Sequence, residues 1–296
     1  MKYRARRSEP ATSSGPTTIP WLAPSASPVL GDSEIHIWRV DLDLQIARMS
    51  ALQPLLSPDE AGRATRFRFP LDRDRFIIAR AVLRILLGLY TDVSPVHLRF
   101  SYGPYGKPSL AGALPHGPVR FNLSHSRGLA LYAVTRDREV GVDLEMIRAD
   151  FGWRTVAGRL LSSGEIASIS ALPPEEQVQM FFTYWARKEA LAKALGGGLA
   201  LPLRQVELTG GRHGSPILVS AGEITGNAGA WRVQDLGAGL DLAAAVAVAG
   251  ENAVLRGWQW EWEGARPAWK ARSMVESVIG AYCVREVEGV PLRDGT

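Results

Sequence analysis

Trp185-Ala186-Arg187-Lys188-Glu189-Ala190-Leu191-Ala192-Lys193-Ala194-Leu195-Gly196-Gly197-Gly198-Leu199 is the stretch from which the fold is best read. Ala, Leu, Lys, Arg and Glu are strong helix formers and fill the segment up to its glycines. Gly196 to Gly198 end the helix, because glycine accepts the left-handed geometry of a helix C-cap. Trp185, Glu189 and Lys193 lie four apart and share one face. Read alone, Glu189 and Lys193 would make an ordinary surface ion pair. A second stretch, Val140-Gly141-Val142-Asp143-Leu144-Glu145, changes that reading. Period-two alternation puts Val140, Val142 and Leu144 on one face of a strand and Gly141, Asp143 and Glu145 on the other. Two carboxylates side by side repel unless water, a base or a cation lies between them. Magnesium, which takes one or two carboxylates together with substrate phosphates, suits such a pair. By itself the pair fits an exposed sheet edge equally well.

Outward from these two stretches, the chain reads as helices and strands in α+β order. Glu34–Asp41 and Leu129–Val134 alternate as half-buried strands, and His36, among apolar neighbours, is expected to be structural. Ser57-Pro58-Asp59-Glu60 has the capping-box spacing of a helix start, and that helix carries Arg63. A second helix is predicted over about Asp72–Tyr90, decorated by Arg73, Arg75, Arg80 and Arg84, with a broad apolar face. Gly103-Pro104-Tyr105-Gly106-Lys107-Pro108 is a loop, and Phe121-Asn122-Leu123-Ser124-His125-Ser126 begins as a strand. Ser162 and Glu165 have capping-box spacing in a helical region over about 151–195, which Pro173-Pro174 interrupts. Val206–Thr209, Ile217–Ser220, Trp231–Leu236 and Leu242–Ala249 read as strands, and Trp258-Gln259-Trp260-Glu261-Trp262 alternates as a further one.

The order of strand, helices and strands recurs, which predicts two similar α+β halves. The expected organisation is a disordered tail over 1–30, an N-terminal half over 31–138, a C-terminal half over 139–250 and a Trp-rich extension over 251–296. The net charge of +4 fits an anionic partner. Long Lys/Arg runs and zinc-ligand spacings are missing from the sequence, which argues against a nucleic-acid binder. No apolar run is long enough to span a bilayer. The single cysteine, Cys283, cannot form an intramolecular disulfide. A cytoplasmic monomer is the expectation.

Gly141-Val142-Asp143-Leu144-Glu145, followed by Trp185 to Lys193 as quoted, resembles the two signature motifs of the Sfp-type 4′-phosphopantetheinyl transferases. Gly106-Lys107-Pro108 and Phe121 to Ser126 resemble two further family blocks, in the right order. The resemblance covers about residues 34–250. It implies a pseudo-dimer of two α+β halves that binds coenzyme A and Mg²⁺ at their interface. The implied reaction moves the phosphopantetheine arm to a serine of an apo acyl or peptidyl carrier protein and releases 3′,5′-ADP. By resemblance, Asp143, Glu145 and Glu189 are the magnesium ligands and Lys193 binds phosphate, with Glu189, Lys193 and Asp143 carrying the chemistry. Asn122, Ser124 and His125 belong to the phosphate-binding block, and Gly106 and Lys107 to the segment along the nucleotide. Arg63 falls where the family has a basic residue for the 3′-phosphate, whereas Glu60 stands where some members carry another basic group. A competing reading is a non-catalytic module that binds coenzyme A or a carrier protein; such a module could lose the three carboxylates, which this sequence retains.

Overall fold

The computed structural model describes residues 21–22, 29–208, 217–220, 230–237, 239, 241–250 and 252–260. Two sheets carry the architecture. The first has five strands in the order β1 (Trp21–Leu22), β11 (Val254–Gln259), β2 (Glu34–Asp41), β6 (Leu129–Arg136) and β5 (Val119–Ser126). The second has four, in the order β7 (Val140–Met146), β10 (Leu242–Ala249), β9 (Ala230–Asp235) and β8 (Ile217–Ser220). A small hairpin, β3 (Phe100–Tyr102) with β4 (Pro108–Leu110), carries the Gly106 loop at its tip.

Each sheet is covered on its outer face by one 22-residue helix, and the inner faces pack on each other. Over the first sheet lies α3 (Pro70–Thr91), where Ile78, Val82 and Leu86 meet Trp38, Tyr132 and Val134. Over the second lies α6 (Pro174–Leu195), where Phe181, Ala190 and Ala194 meet Val233, Ala245 and Ala247. Between the sheets, Ile35, Ile37, Leu131 and Ala133 meet Val142, Leu144, Ala244 and Val246. The result is four layers, helix–sheet–sheet–helix. It follows from strands that are apolar on both faces and helices that are apolar on one. Shorter helices, α1 (Met49–Leu52), α2 (Pro58–Ala64), α4 (Arg154–Leu160) and α5 (Ser163–Ser170), fill the ends.

The helix expected over Asp72–Tyr90 is Pro70–Thr91, and the helical region expected over about 151–195 is three helices, Arg154–Leu160, Ser163–Ser170 and Pro174–Leu195. Pro70 and Pro174 stand at the first turns of their helices, and Gly196 is the left-handed C-cap of α6. Both capping boxes form, at Ser57/Glu60 and Ser162/Glu165. His36 is buried and structural. Trp38 Nε1 donates to the Tyr90 hydroxyl at 2.8 Å, and the same hydroxyl hydrogen-bonds with His36 Nδ1 at 2.7 Å. His36 Nε2 faces Glu34 at 3.2 Å.

Three expectations need correction. The tail over 1–30 is not wholly apart from the fold: Trp21 and Leu22 pair in parallel with Gly257 and Trp258, Trp21 Nε1 donates to the Gly237 carbonyl at 3.0 Å, and Leu30 is buried. The rest of that tail, except residues 29 and 30, lies outside the described residues. The extension over 251–296 is not separate either, because β11 inserts between β1 and β2 of the first sheet. Trp258 and Trp260 pack there against Trp38, at ring separations of 6.0 and 5.6 Å, while Trp262 and Trp269 lie outside the described residues.

Val206–Leu208, expected within a strand over 206–209, is not a strand; a short 3-10 turn, Leu203–Gln205, precedes it. Side chains take the backbone groups a ladder would use. Lys188 donates to the carbonyls of Leu203 and Val206, Arg187 donates to that of Leu208, and Glu165 accepts from the Leu208 amide. Thr209 lies outside the described residues.

Candidate active site

β5 is the edge of the first sheet and β7 the edge of the second, and they run beside each other without joining into one ladder. An edge strand presents amides that need partners. Here polar side chains of β5 supply them. Asn122 Oδ1 accepts from the Val142 amide at 3.0 Å, and Ser124 Oγ accepts from the Leu144 amide at 3.3 Å. Asn122 and Ser124 therefore stitch the seam between the sheets and place the β7 carboxylates beside it.

The third wall is α6, and Gly141 sets its distance. A Cβ on Gly141 would lie 2.1 Å from the Ala190 carbonyl oxygen and 2.4 Å from the Ala194 amide nitrogen. Only a residue without a side chain lets the helix backbone rest on the strand. One strand pleat further on, Asp143 projects on the same side and meets Lys193. Lys193 Nζ donates to Asp143 Oδ1 at 2.6 Å, to Ser124 Oγ at 2.9 Å and to the Val142 carbonyl at 3.3 Å. Ser124 in turn donates to Asp143 Oδ1 at 3.0 Å. Lys193 thus reaches from α6 to the seam, touching both β7 and Ser124 of β5, instead of lying along its own helix to Glu189.

Asp143 is only 3% exposed, and its Oδ2 is buried with no hydrogen-bond partner. A buried acceptor without a donor costs on the order of 1–3 kcal/mol. Two more carboxylates crowd the same rim. Burial first, then the Asp143 charge and the nearby Glu189, push Glu145 up to about 7, with Lys193 working against them. Glu189 is raised as well, by burial and by Asp143, again opposed by Lys193. The rim therefore crowds three carboxyl groups around one lysine, and the crowding favours their protonated forms. Among the described residues, no three His, Cys, Asp or Glu side chains are already arranged to hold a metal ion.

The remaining expected residues fall at three places. Gly106, with a positive φ of 81°, lines a cleft of about 220 Å³ with Tyr105, Lys107, Asn122, Lys193 and Gly196. The Lys107 ammonium is bound within the protein, to Glu139 Oε2 at 2.5 Å and to the Ala194 carbonyl at 2.7 Å. His125 keeps an open edge at the end of β5; desolvation, then Lys193, Arg75 and Arg63, lower its proton affinity. Arg63 does not join the Asp143–Lys193 cluster. It stacks on Phe76, 5.3 Å from the ring centre, and lines a neighbouring recess of about 620 Å³ with Asp59, Arg66, Phe67 and Tyr102. Glu60 is internal: it accepts from Arg80 and Arg84 and caps α2. Arg75 is held by Asp43 through two bonds of 2.6 and 2.7 Å.

Two roles escape the sequence reading. Gly141 is part of the quoted strand, and a glycine inside a strand signals close backbone approach, so its role was open to inference. Lys188, next to Glu189, faces the other way. It is fully buried against Glu165, 2.9 Å away, with both side chains 0% exposed. Burial lowers its proton affinity and Glu165 works against that. No helix-face pattern announces such a pair, because Glu165 comes from another helix.

A family model described as the 4′-phosphopantetheinyl transferase superfamily matches residues 139–247, the span that holds β7, α6 and most of the second sheet. The 4′-phosphopantetheinyl transferase HetI of Nostoc sp. is 37% identical over 239 residues, 81% of this chain and 95% of its own length. AcpT of Escherichia coli K12, also a 4′-phosphopantetheinyl transferase, is 38% identical over 125 residues, 42% of this chain and 59% of its own. A 4′-phosphopantetheinyl transferase of Bacillus subtilis is 28% identical over 164 residues, covering 55% and 70% of the two chains. The chain belongs to the 4′-phosphopantetheinyl transferase superfamily.

Proposed function

We propose that this protein transfers the 4′-phosphopantetheine arm of coenzyme A to a serine of an apo acyl or peptidyl carrier protein, releasing 3′,5′-ADP. The observation that carries the reading is the Asp143–Lys193 contact at 2.6 Å, set in a rim with two further carboxylates of raised proton affinity. The relatives HetI and AcpT, both 4′-phosphopantetheinyl transferases, support it.

In this reaction the serine oxygen forms a bond to the β-phosphorus of the coenzyme A pyrophosphate. The bond from that phosphorus to the bridging oxygen breaks, and the electron pair leaves with 3′,5′-ADP. Lys193 sits where it can meet the growing negative charge on the leaving phosphate, in a site where a charge–charge contact is worth more than in water. Glu189 accepts the serine proton. Gly106 and the cleft it shares with Asn122 and Lys193 lie along the nucleotide. His125 and Ser124 complete the phosphate-facing edge of β5, and Arg63 faces the 3′-phosphate from its recess. Asp143, Glu145 and Glu189 would hold Mg²⁺: the set is all oxygen, and the unpartnered Oδ2 of Asp143 lacks a positive partner. Bound there, the ion supplies Lewis-acid stabilisation of the pyrophosphate oxygens. The protein works as a monomer in the cytoplasm.

The test is incubation with an apo-carrier protein, coenzyme A and Mg²⁺, followed by the intact mass of the carrier. The carrier should gain one phosphopantetheine, and a carrier with its acceptor serine changed to alanine should gain none. Unmodified carrier from several classes, with enzyme shown to be folded, would overturn the assignment.

A further inference from the structure

Glu139 is the residue just before β7, outside every motif quoted above. Its Oε2 accepts from Lys107 at 2.5 Å, and Arg120 Nε lies 3.4 Å from its Oε1. Lys107 also donates to the Ala194 carbonyl at 2.7 Å. That carbonyl is among the last four of α6, which have no partner inside the helix and attract a cation. The Lys107 stem runs 3.4 Å from where a Cβ of Gly196 would lie, so the loop rests on the helix end.

These contacts close a ring. From Glu139 the chain enters β7 and reaches Asp143; Asp143 binds Lys193; the next residue, Ala194, binds Lys107; and Lys107 returns to Glu139. Three segments distant in sequence are tied at one point: the loop at the tip of the β3–β4 hairpin, the start of the carboxylate strand and the end of the lysine helix. Resting on the reaction proposed above, we infer that Glu139 is a positioning residue, acting through the Lys107 ammonium to hold the Gly106 loop and the Lys193 turn on one cleft. In this assignment the backbone of the loop flanks the nucleotide, while the Lys107 ammonium touches no phosphate.

The experiment compares Glu139→Gln, Lys107→Met, the double variant and Lys107→Arg in the full chain. Steady-state transfer to one apo-carrier protein and calorimetric binding of coenzyme A are the catalytic readouts. Amide hydrogen exchange over residues 193–198 of the free protein is the third. Glu139→Gln and Lys107→Met should each weaken coenzyme A binding and raise its KM by about tenfold, the scale of losing an orienting partner. The double variant should be no worse than either single one, since the two groups act as a unit. Lys107→Arg should recover much of the loss, and exchange over 193–198 should quicken in both single variants. If the Lys107 ammonium were instead a phosphate ligand held back by Glu139, Glu139→Gln would tighten coenzyme A binding while Lys107→Met weakened it. That split overturns the inference, as do unchanged exchange rates in both variants. A wild type that transfers nothing while exchange responds as expected refutes the function and leaves the ring of contacts supported.

Discussion

Replacing Gly141 by alanine tests how α6 and β7 are brought together. The new Cβ would sit 2.1 Å from the Ala190 carbonyl oxygen and 2.4 Å from the Ala194 nitrogen, where real Cβ atoms essentially never come within 3.0 Å of a neighbour. Both neighbours are backbone of a long helix, so no side chain can swing aside. The helix must retreat by roughly 1 Å, and overpacking of this kind costs about 1–3 kcal/mol. For a chain of this size that is a fall in Tm of roughly 3–10 °C. The same retreat opens the 2.6 Å Lys193–Asp143 contact beyond hydrogen-bond range. A 1 Å misplacement of reacting groups costs on the order of 10²-fold, so the transfer rate should fall by about that factor even where the variant is fully folded. Scanning calorimetry and a carrier-modification assay read the two effects. Gly158→Ala is the control, because nothing lies within 4 Å of its Cβ position and it sits inside α4. It should leave the rate unchanged and raise stability slightly. A Gly141→Ala protein with wild-type Tm and wild-type rate would refute direct packing of the helix on the strand.

Lys188→Met should lower stability by about 3–5 kcal/mol, because it leaves Glu165 buried without its cation and two carbonyls without a donor. A denaturant midpoint close to wild type would show that the pair is exposed to water. Acid should weaken the fold through His36, whose proton affinity burial lowers despite the nearby Glu34. This contribution is complete above the unfolded-state pKa of about 6.5 and is lost as pH falls below it, since the unfolded chain then binds the extra proton. Tm should therefore drop between about pH 7 and pH 5, and drop less in His36→Gln; equal slopes would remove His36 as the cause. Removing Mg²⁺ with a chelator should abolish transfer and leave far-UV circular dichroism unchanged. Full activity in metal-free buffer would rule out the role given to Asp143, Glu145 and Glu189.

Local signals carried most of the fold. The capping pairs, the prolines at helix starts and the glycine stop of α6 act within one turn, so the sequence exposes them directly. The alternation of Val140, Val142 and Leu144 against Gly141, Asp143 and Glu145 also survives intact, because the first set is buried between the sheets and the second meets α6. What the pattern could not reveal depends on distant partners. Val206–Leu208 has the composition of a strand, yet Lys188, Arg187 and Glu165 claim its backbone groups from two helices. β11 lies far along the chain from β2, and nothing local in Val254–Gln259 says that its partner is residues 34–39. At the site, Asp143 and Lys193 were legible as candidates, but their contact, and the turn of Lys107 onto Glu139, required the seam between the sheets.

The chemistry is assigned to the place where α6 crosses β7. Single-turnover transfer by Glu189→Gln, with saturating coenzyme A and Mg²⁺ and with folding checked by circular dichroism, puts that assignment to the test. This change keeps the shape of the side chain and removes its charge. Tm should stay close to wild type and the rate should fall by at least about 10²-fold, the scale of losing a general base, with no recovery on adding coenzyme A. A Glu189→Gln protein that modifies its carrier at the wild-type rate would contradict it.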